Sequence, residues 1–237
     1  MKTDYVALQV ADGSIMDAYI SSPKNMSESF PGILLFQEAF GVNHHIRNVA
    51  DRIAAQGYIV IAPELFHRTA AGFEGSYNDF PGVMPHIKAL TTEGLEADAK
   101  ASFDWLQNQD NIIKNKIGSI GFCMGGRVSF IANMILPLAA SVSYYSGNML
   151  PLTSRLHEIH APHLMFWGGS DAHILPEHID AVVSSLKEAK KEFINVVISY
   201  ADHGFNCDER ASYQPQAAKE AWAMAMAFFE NKLVNGE

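Results

Sequence analysis

Four side chains of this sequence have the types and order needed for acyl transfer: Glu38, Cys123, Asp171 and His203. Cys123 lies in the run Lys116-Ile-Gly-Ser-Ile-Gly-Phe-Cys-Met-Gly-Gly-Arg127, where an apolar strand meets a helical pattern. A strand, a sharp turn and a helix present the turn residue above the carboxyl edge of a sheet, and Gly121, Gly125 and Gly126 remove the Cβ atoms that such a turn would crowd. A thiolate attacks a carbonyl carbon, but a free thiol with a pKa of about 8.5 is only slightly ionised at neutral pH. His203 can hold the thiol proton and return it to a leaving group. Asp171 can fix the imidazole in one tautomer and stabilise its cation. The backbone N–H groups of Met124, at the start of the helix, and of Ala39 suit a developing oxyanion. Read from residue type alone, Asp171 also fits a turn position in Gly168-Gly-Ser-Asp-Ala-His173. Glu38 fits either a site carboxylate or a helix-capping or salt-bridging one.

The elements that must position these groups follow from periodicity. Residues 4–10 and 14–21 alternate around Ala11-Asp12-Gly13-Ser14, an opening β-hairpin. Gly32 to Phe36 and Tyr58 to Ala62 are continuous apolar runs, read as strands buried on both faces. Between them Ile46, Val49, Ala50, Ile53 and Ala54 repeat at helical spacing up to Gly57. Glu64 to Pro85 has no clear period and reads as a lid or binding loop. A helix is expected over Thr92 to Gln109, then the strand Ile117 to Phe122 and a helix to about Met134. Ala139 to Tyr145 is a strand, and Gly147 to Ala161 an irregular connection. Leu164 to Trp167 leads to Asp171, Pro176 to Lys191 is helical, and Ile194 to Tyr200 delivers His203. A last helix runs from about Gln216 to Lys232. Alternating strands and helices with short links imply an α/β fold, with a mostly parallel central sheet, helices on both faces and antiparallel N-terminal edge strands. No composition shift or linker divides residues 1–237, so one domain is expected.

Composition narrows the function classes. A net charge of −9 gives no basic footprint for nucleic acid or anionic lipid. The 48% apolar content is that of an ordinary globular protein. Two cysteines, Cys123 and Cys207, make no disulfide framework. No signal-like or membrane-length apolar run occurs, which makes a cytoplasmic protein the expectation, with no membrane partner. Monomer and homodimer are both compatible with the sequence.

In doubly wound sheets, functional groups gather beyond the carboxyl ends of the strands, where all four side chains are expected. Nucleophile, acid and histidine follow one another in the α/β-hydrolase order. The segments FQEAFGVNHHIRNVADRIAAQGYIVIAPELFHR, GSIGFCMGGR, MFWGGSDAHIL and ADHGFNCDER resemble the dienelactone hydrolase family, the cysteine-bearing branch of the α/β-hydrolase fold, over essentially the whole chain. The resemblance implies a Cys123–Asp171–His203 triad, a thioester acyl-enzyme and small ester or lactone substrates, with no cofactor or metal. It implies that Glu38 receives the thiol proton when substrate binds. Members acting on dienelactone carry an Arg four residues after the histidine to clamp the substrate carboxylate. Here that position is Cys207, and Arg68 is the nearest match to a second expected Arg after Pro63.

The remaining candidates read as structural. Arg127 and Arg210 are expected to be structural cations, although either could meet an anionic group, and Phe40, Tyr145 and Trp167 to be core packing, with pocket lining as the alternative. Cys207 is expected to line the pocket. His157, His160 and His163 recur at spacing three, but Pro162 breaks any helix that would align them as metal ligands, so they read as solvated or capping. Two alternatives remain: a hydrolase fold that binds without turnover, and a redox pair of Cys123 with Cys207.

Overall fold

The structure, a computed structural model, describes residues 1–25 and 27–236. Among the described residues, eight strands form one sheet: β1 Lys2–Gln9, β2 Ile15–Ser22, β3 Phe30–Phe36, β4 Ile59–Pro63, β5 Ile112–Phe122, β6 Ala140–Tyr144, β7 His163–Gly168 and β8 Phe193–Ile198. Their order is β1-β2-β4-β3-β5-β6-β7-β8. The opening hairpin pairs antiparallel and meets β4 antiparallel, with Ala18 opposite Pro63. All other pairings are parallel. The α/β architecture expected from the sequence is therefore the observed one. Among the described residues, no helix is long and apolar enough to cross a membrane.

The α-helices that connect and cover the sheet are α1 His44–Ala54, α2 Phe80–Ala89, α3 Thr92–Gln107, α4 Met124–Ile135, α5 Pro176–Glu188 and α6 Pro215–Phe229. From β3 the chain crosses through α1 to β4 on one side, whereas from β5 it crosses through α4 to β6 on the other. Right-handed crossovers running in opposite directions put α1 and α4 on opposite faces of the sheet. The reversal leaves a crevice between the carboxyl ends of the neighbours β3 and β5, the switch point where such sheets place their ligands. Residues following those two strands are Glu38 and Cys123.

Local signals explain most boundaries. The Asn43 side chain caps α1 by accepting from the Ile46 N–H at 3.2 Å, and Thr91 caps α3 at the Gly94 N–H at 3.0 Å. β3 and β4 are buried on both faces except at Phe30, as continuous apolar runs require. At the open edge, β8 exposes Ile194 and Val197 and pairs only with β7.

The structure corrects three expectations. The segment Glu64 to Pro85 is not wholly irregular, because α2 begins within it. Asp79 caps that helix at the Gly82 N–H, 3.1 Å away. Pro81 sits in the first turn, where its missing N–H costs nothing, while Pro85 inside the helix removes one ladder bond. These residues and a single buried position, Val83, hide the helical period. Leu150–Glu158 likewise forms a 3-10 helix inside the connection expected to be irregular. His163 is neither solvated nor capping. It is fully buried, stacked on Phe130 at 3.6 Å and within 3.1 Å of the Ser143 hydroxyl, and burial pushes its pKa down to about 3, so the ring stays neutral.

A close backbone approach lies where α4 meets β3. A Cβ at Gly125 would sit 2.3 Å from the Phe36 carbonyl oxygen and 2.4 Å from that of Gln37. Neither neighbour is a side chain that can rotate away. Gly125→Ala is expected to lower stability by roughly 1–3 kcal/mol, the usual range for an overpacked core. A lower urea midpoint at unchanged m-value would register it, and a wild-type midpoint would show that the two backbones have room to part.

Candidate active site

Cys123 joins β5 directly to α4 with φ 54° and ψ −116°, in the left-handed region that L-residues seldom enter. Its N–H donates to the Tyr144 carbonyl at 3.0 Å, and the Gly126 N–H returns to its carbonyl at 3.1 Å. A Cβ at Gly121 would lie 1.9 Å from the Gly125 carbonyl oxygen, so the turn closes only with glycine there. The result is a partly exposed thiol at the positive end of a helix.

His203 and Asp171 reach that thiol from the loops after β8 and β7. Cys123 Sγ lies 3.1 Å from His203 Nε2, and His203 Nδ1 lies 2.7 Å from Asp171 Oδ2. The other Asp171 oxygen accepts the N–H groups of His173 at 2.7 Å and Ile174 at 3.1 Å. Asp171 thus holds both the turn and the imidazole, so the two readings of that residue are compatible. Burial alone would raise the Asp171 pKa, yet the hydrogen bond and charge of His203 and the two N–H donors bring it below the usual value. Burial likewise disfavours the imidazolium, but the facing Cys123 charge and the Asp171 carboxylate outweigh it and hold His203 at about 10. The arrangement favours the protonated imidazole of His203. Neither the Met124 nor the Ala39 N–H makes a backbone hydrogen bond among the described residues.

Glu38 lies beyond the end of β3 and is only 1% exposed. Its Oε1 accepts from the Tyr145 hydroxyl at 3.3 Å and from Arg210 Nη1 at 3.4 Å. Tyr145 also packs against His203 with ring centroids 5.1 Å apart, and its φ of 38° marks another strained residue at the carboxyl edge. Tyr145 is therefore more than core packing. The only sequence signal for this was its place at the end of a strand.

Arg210 faces the same carboxylate. Its guanidinium lies 5.7 Å from the centroid of Phe40 and 5.9 Å from that of Tyr77, and against Gly204, where a Cβ would meet Nη1 at 2.4 Å. A cation thus occupies the Glu38 region although Cys207 stands at the expected clamp position. Arg68 is engaged elsewhere, by both Asp98 oxygens at 2.9 and 2.8 Å and by Asp12 at 2.7 Å. Cys207 is fully buried, and burial with the nearby Glu38 charge pushes its thiol up to about 12. Phe40 joins Ala39, Val83, Phe73, Tyr77 and Ile87 in a small apolar cluster separate from the main core. Trp167 is buried, donates to Asn195 at 2.7 Å, and lines a cleft of about 220 Å³ with Ser146, Met149 and His173. Arg127 stays half-buried with its Nε unpartnered among the described residues, and burial lowers its pKa.

The sequence profile of the Dienelactone hydrolase family matches residues 16–233. A Synechocystis sp. protein, provisionally named a carboxymethylenebutenolidase, is 31% identical over 228 residues, covering 91% of each chain. A Salmonella typhimurium protein of the same provisional name is 31% identical over 232 residues, covering 92% of this chain and 84% of its own. The crystal structure of a provisionally named dienelactone hydrolase from Klebsiella pneumoniae superposes with a TM-score of 0.86 at 29% identity, covering 97% of this chain and 99% of that one.

Replacing the thiol by a hydroxyl removes the largest influence that raises the His203 pKa. In Cys123→Ser the His203 pKa is expected to fall from about 10 toward its ordinary 6.5, because the cause that opposes burial most strongly is gone. Titration of the ring resonances by NMR reads this directly. A titration midpoint unchanged from wild type would assign the upward shift to Asp171 alone.

Proposed function

This chain belongs to the dienelactone hydrolase family, and from that premise we propose that it hydrolyses small esters or lactones through a Cys123–His203–Asp171 triad and a thioester acyl-enzyme. The observation that carries the reading is the continuous chain from Cys123 Sγ through both ring nitrogens of His203 to Asp171, set at a strained turn. The Cys123 thiolate attacks the substrate carbonyl carbon, and the new oxyanion is met by the Met124 and Ala39 N–H groups. On collapse, the C–O bond to the leaving group breaks and the departing alkoxide takes the proton from His203 Nε2. Water then gives a proton to the same nitrogen and attacks the thioester carbonyl. Release of the carboxylic acid regenerates the thiolate.

Arg210 supports a substrate with a negative group. The lactone that gives carboxymethylenebutenolidase its name bears a carboxylate, and Arg210 offers the fork geometry such a group prefers. A substrate carboxylate that draws Arg210 from Glu38 leaves that residue free to accept a proton from Cys123. Glu38 then acts only when the anion is in place.

Incubation with a panel of activated esters and lactones, followed by intact-mass measurement, is expected to show an acyl adduct that maps to Cys123. Cys123→Ala is expected to lose turnover by at least ~10³-fold. Retained turnover in that variant, or no adduct with any substrate, would remove the mechanism. Arg210→Met is expected to lower kcat/KM for an ester bearing a carboxylate by roughly 10- to 100-fold, the worth of about 1.5–3 kcal/mol for a charged hydrogen bond. A matched neutral ester should be far less affected, and equal losses on both would assign Arg210 a structural role.

A further inference from the structure

Beside the Cys123–His203–Asp171 chain lies a second cluster of metal-ligating types. A carboxylate oxygen of Glu38, a ring nitrogen of His45 and the thiol sulfur of Cys207 all lie within 4.8 Å of one another. The three come from separate segments: the turn after β3, the first turn of α1 and the loop after His203. Their residues are 1%, 2% and 0% exposed, so water does not reach them freely.

Two of the groups are also short of partners. Glu38 Oε1 takes both hydrogen bonds, from Tyr145 and Arg210, while Oε2 is buried with no partner among the described residues. His45 Nδ1 lies 3.3 Å from Asp208 Oδ1, while its Nε2 is likewise buried and unpartnered among the described residues. Buried polar atoms are nearly always satisfied, so two orphans in one cluster call for a missing partner. With His45 Nδ1 turned to Asp208, neither Nε2 nor Glu38 Oε2 has a partner among the described residues. A cation can satisfy both.

We propose that Glu38, His45 and Cys207 form a binding site for one Zn²⁺-class cation, a borderline-soft metal that accepts thiolate, imidazole and carboxylate together. The ligand set suits zinc, with three protein ligands and one position left for a further donor. Hard cations such as Mg²⁺ or Ca²⁺, which demand oxygen, are excluded by the thiolate and imidazole. Asp208 facing His45 Nδ1 supplies the carboxylate–histidine–metal relay that fixes the ring so that Nε2 points at the ion. Donor atoms around tetrahedral zinc lie about 3.3–3.8 Å apart at the usual bond lengths, so binding draws together three side chains whose donor atoms already lie within 4.8 Å of one another. Binding displaces the Cys207 proton to solvent. The resulting charges of Glu38, Cys207 and the ion sum to zero beside the Arg210 cation.

The test uses the full-length protein stripped with a chelator and titrated with Zn²⁺ against a chromophoric competitor, and with Co²⁺ as an optical reporter. One equivalent of Zn²⁺ is expected to bind and to raise the melting temperature, with Co²⁺ giving a thiolate charge-transfer band. Cys207→Ser and His45→Gln should each weaken binding by roughly 100-fold or more, and Asp208→Asn by roughly 10- to 100-fold. Cys123→Ser should leave the affinity and the band intact. Loss of the band in Cys123→Ser but not in Cys207→Ser would place the metal on the other thiol and overturn the proposal. So would a wild-type protein that binds no equivalent of either metal. The wild-type titration stands even if a variant fails to fold.

Discussion

Everything at this site depends on one steric constraint, the contact of α4 with the end of β3. With glycine at 125, the helix start approaches the Phe36 and Gln37 carbonyls more closely than any side chain would allow. That contact and the Tyr144 hydrogen bond hold Cys123 at a positive φ, a conformation costing on the order of 1–3 kcal/mol that persists only where its surroundings over-determine it. Because β3 and β5 are neighbours, the same contact brings the residues after β3 beside the thiol. Glu38 and the Ala39 N–H therefore share the crevice with Cys123 by topology.

The two carboxylates of the crevice differ in their surroundings. Asp171 is enclosed by donors on both oxygens, two backbone N–H groups on one and His203 on the other. Glu38 has both its partners on one oxygen and, among the described residues, none on the second. A carboxylate held as Asp171 is keeps its charge and orients its neighbour. One held as Glu38 is retains an open coordination point, ready for a proton or an ion. A buried carboxylate with half its capacity unused is not explained by stability, since removing charge from water is costly unless it is fully paired.

Much of this was legible in the sequence because the signals were local. Glycines on both sides of Cys123, the apolar runs of β3 and β4 and the alternation of the opening hairpin each carry their meaning within about ten residues. The order of Cys123, Asp171 and His203 gave their relation because each follows a strand of one parallel sheet. Arg210 and Tyr145 were less legible. Arg210 reaches Glu38 from 172 positions away, and whether an arginine points inward or outward depends on rotamers that no period encodes. The α2 helix was hidden by Pro81, Gly82 and Pro85, since its ends are set by one aspartate cap and its anchorage by Val83. His163 looked like a surface residue because Pro162 and the neighbouring histidines masked a β7 position that faces Phe130.

The edge position of β8 gives the site a gradient of rigidity. Cys123 hangs from β5, paired on both sides and covered by α4, whereas His203 follows a strand with a partner on one side only. Local opening of a native protein starts where few buried contacts and many exposed hydrogen bonds coincide, and in this sheet that describes the two edge strands, β1 and β8, the latter with Ile194 and Val197 already in water. Amide exchange should therefore be faster through Phe193–Ile198 than through β5. Opening of β8 would draw the histidine away from the thiol while the rest of the sheet stays folded. Warming short of the melting point would then disconnect the proton carrier before it unfolds the nucleophile.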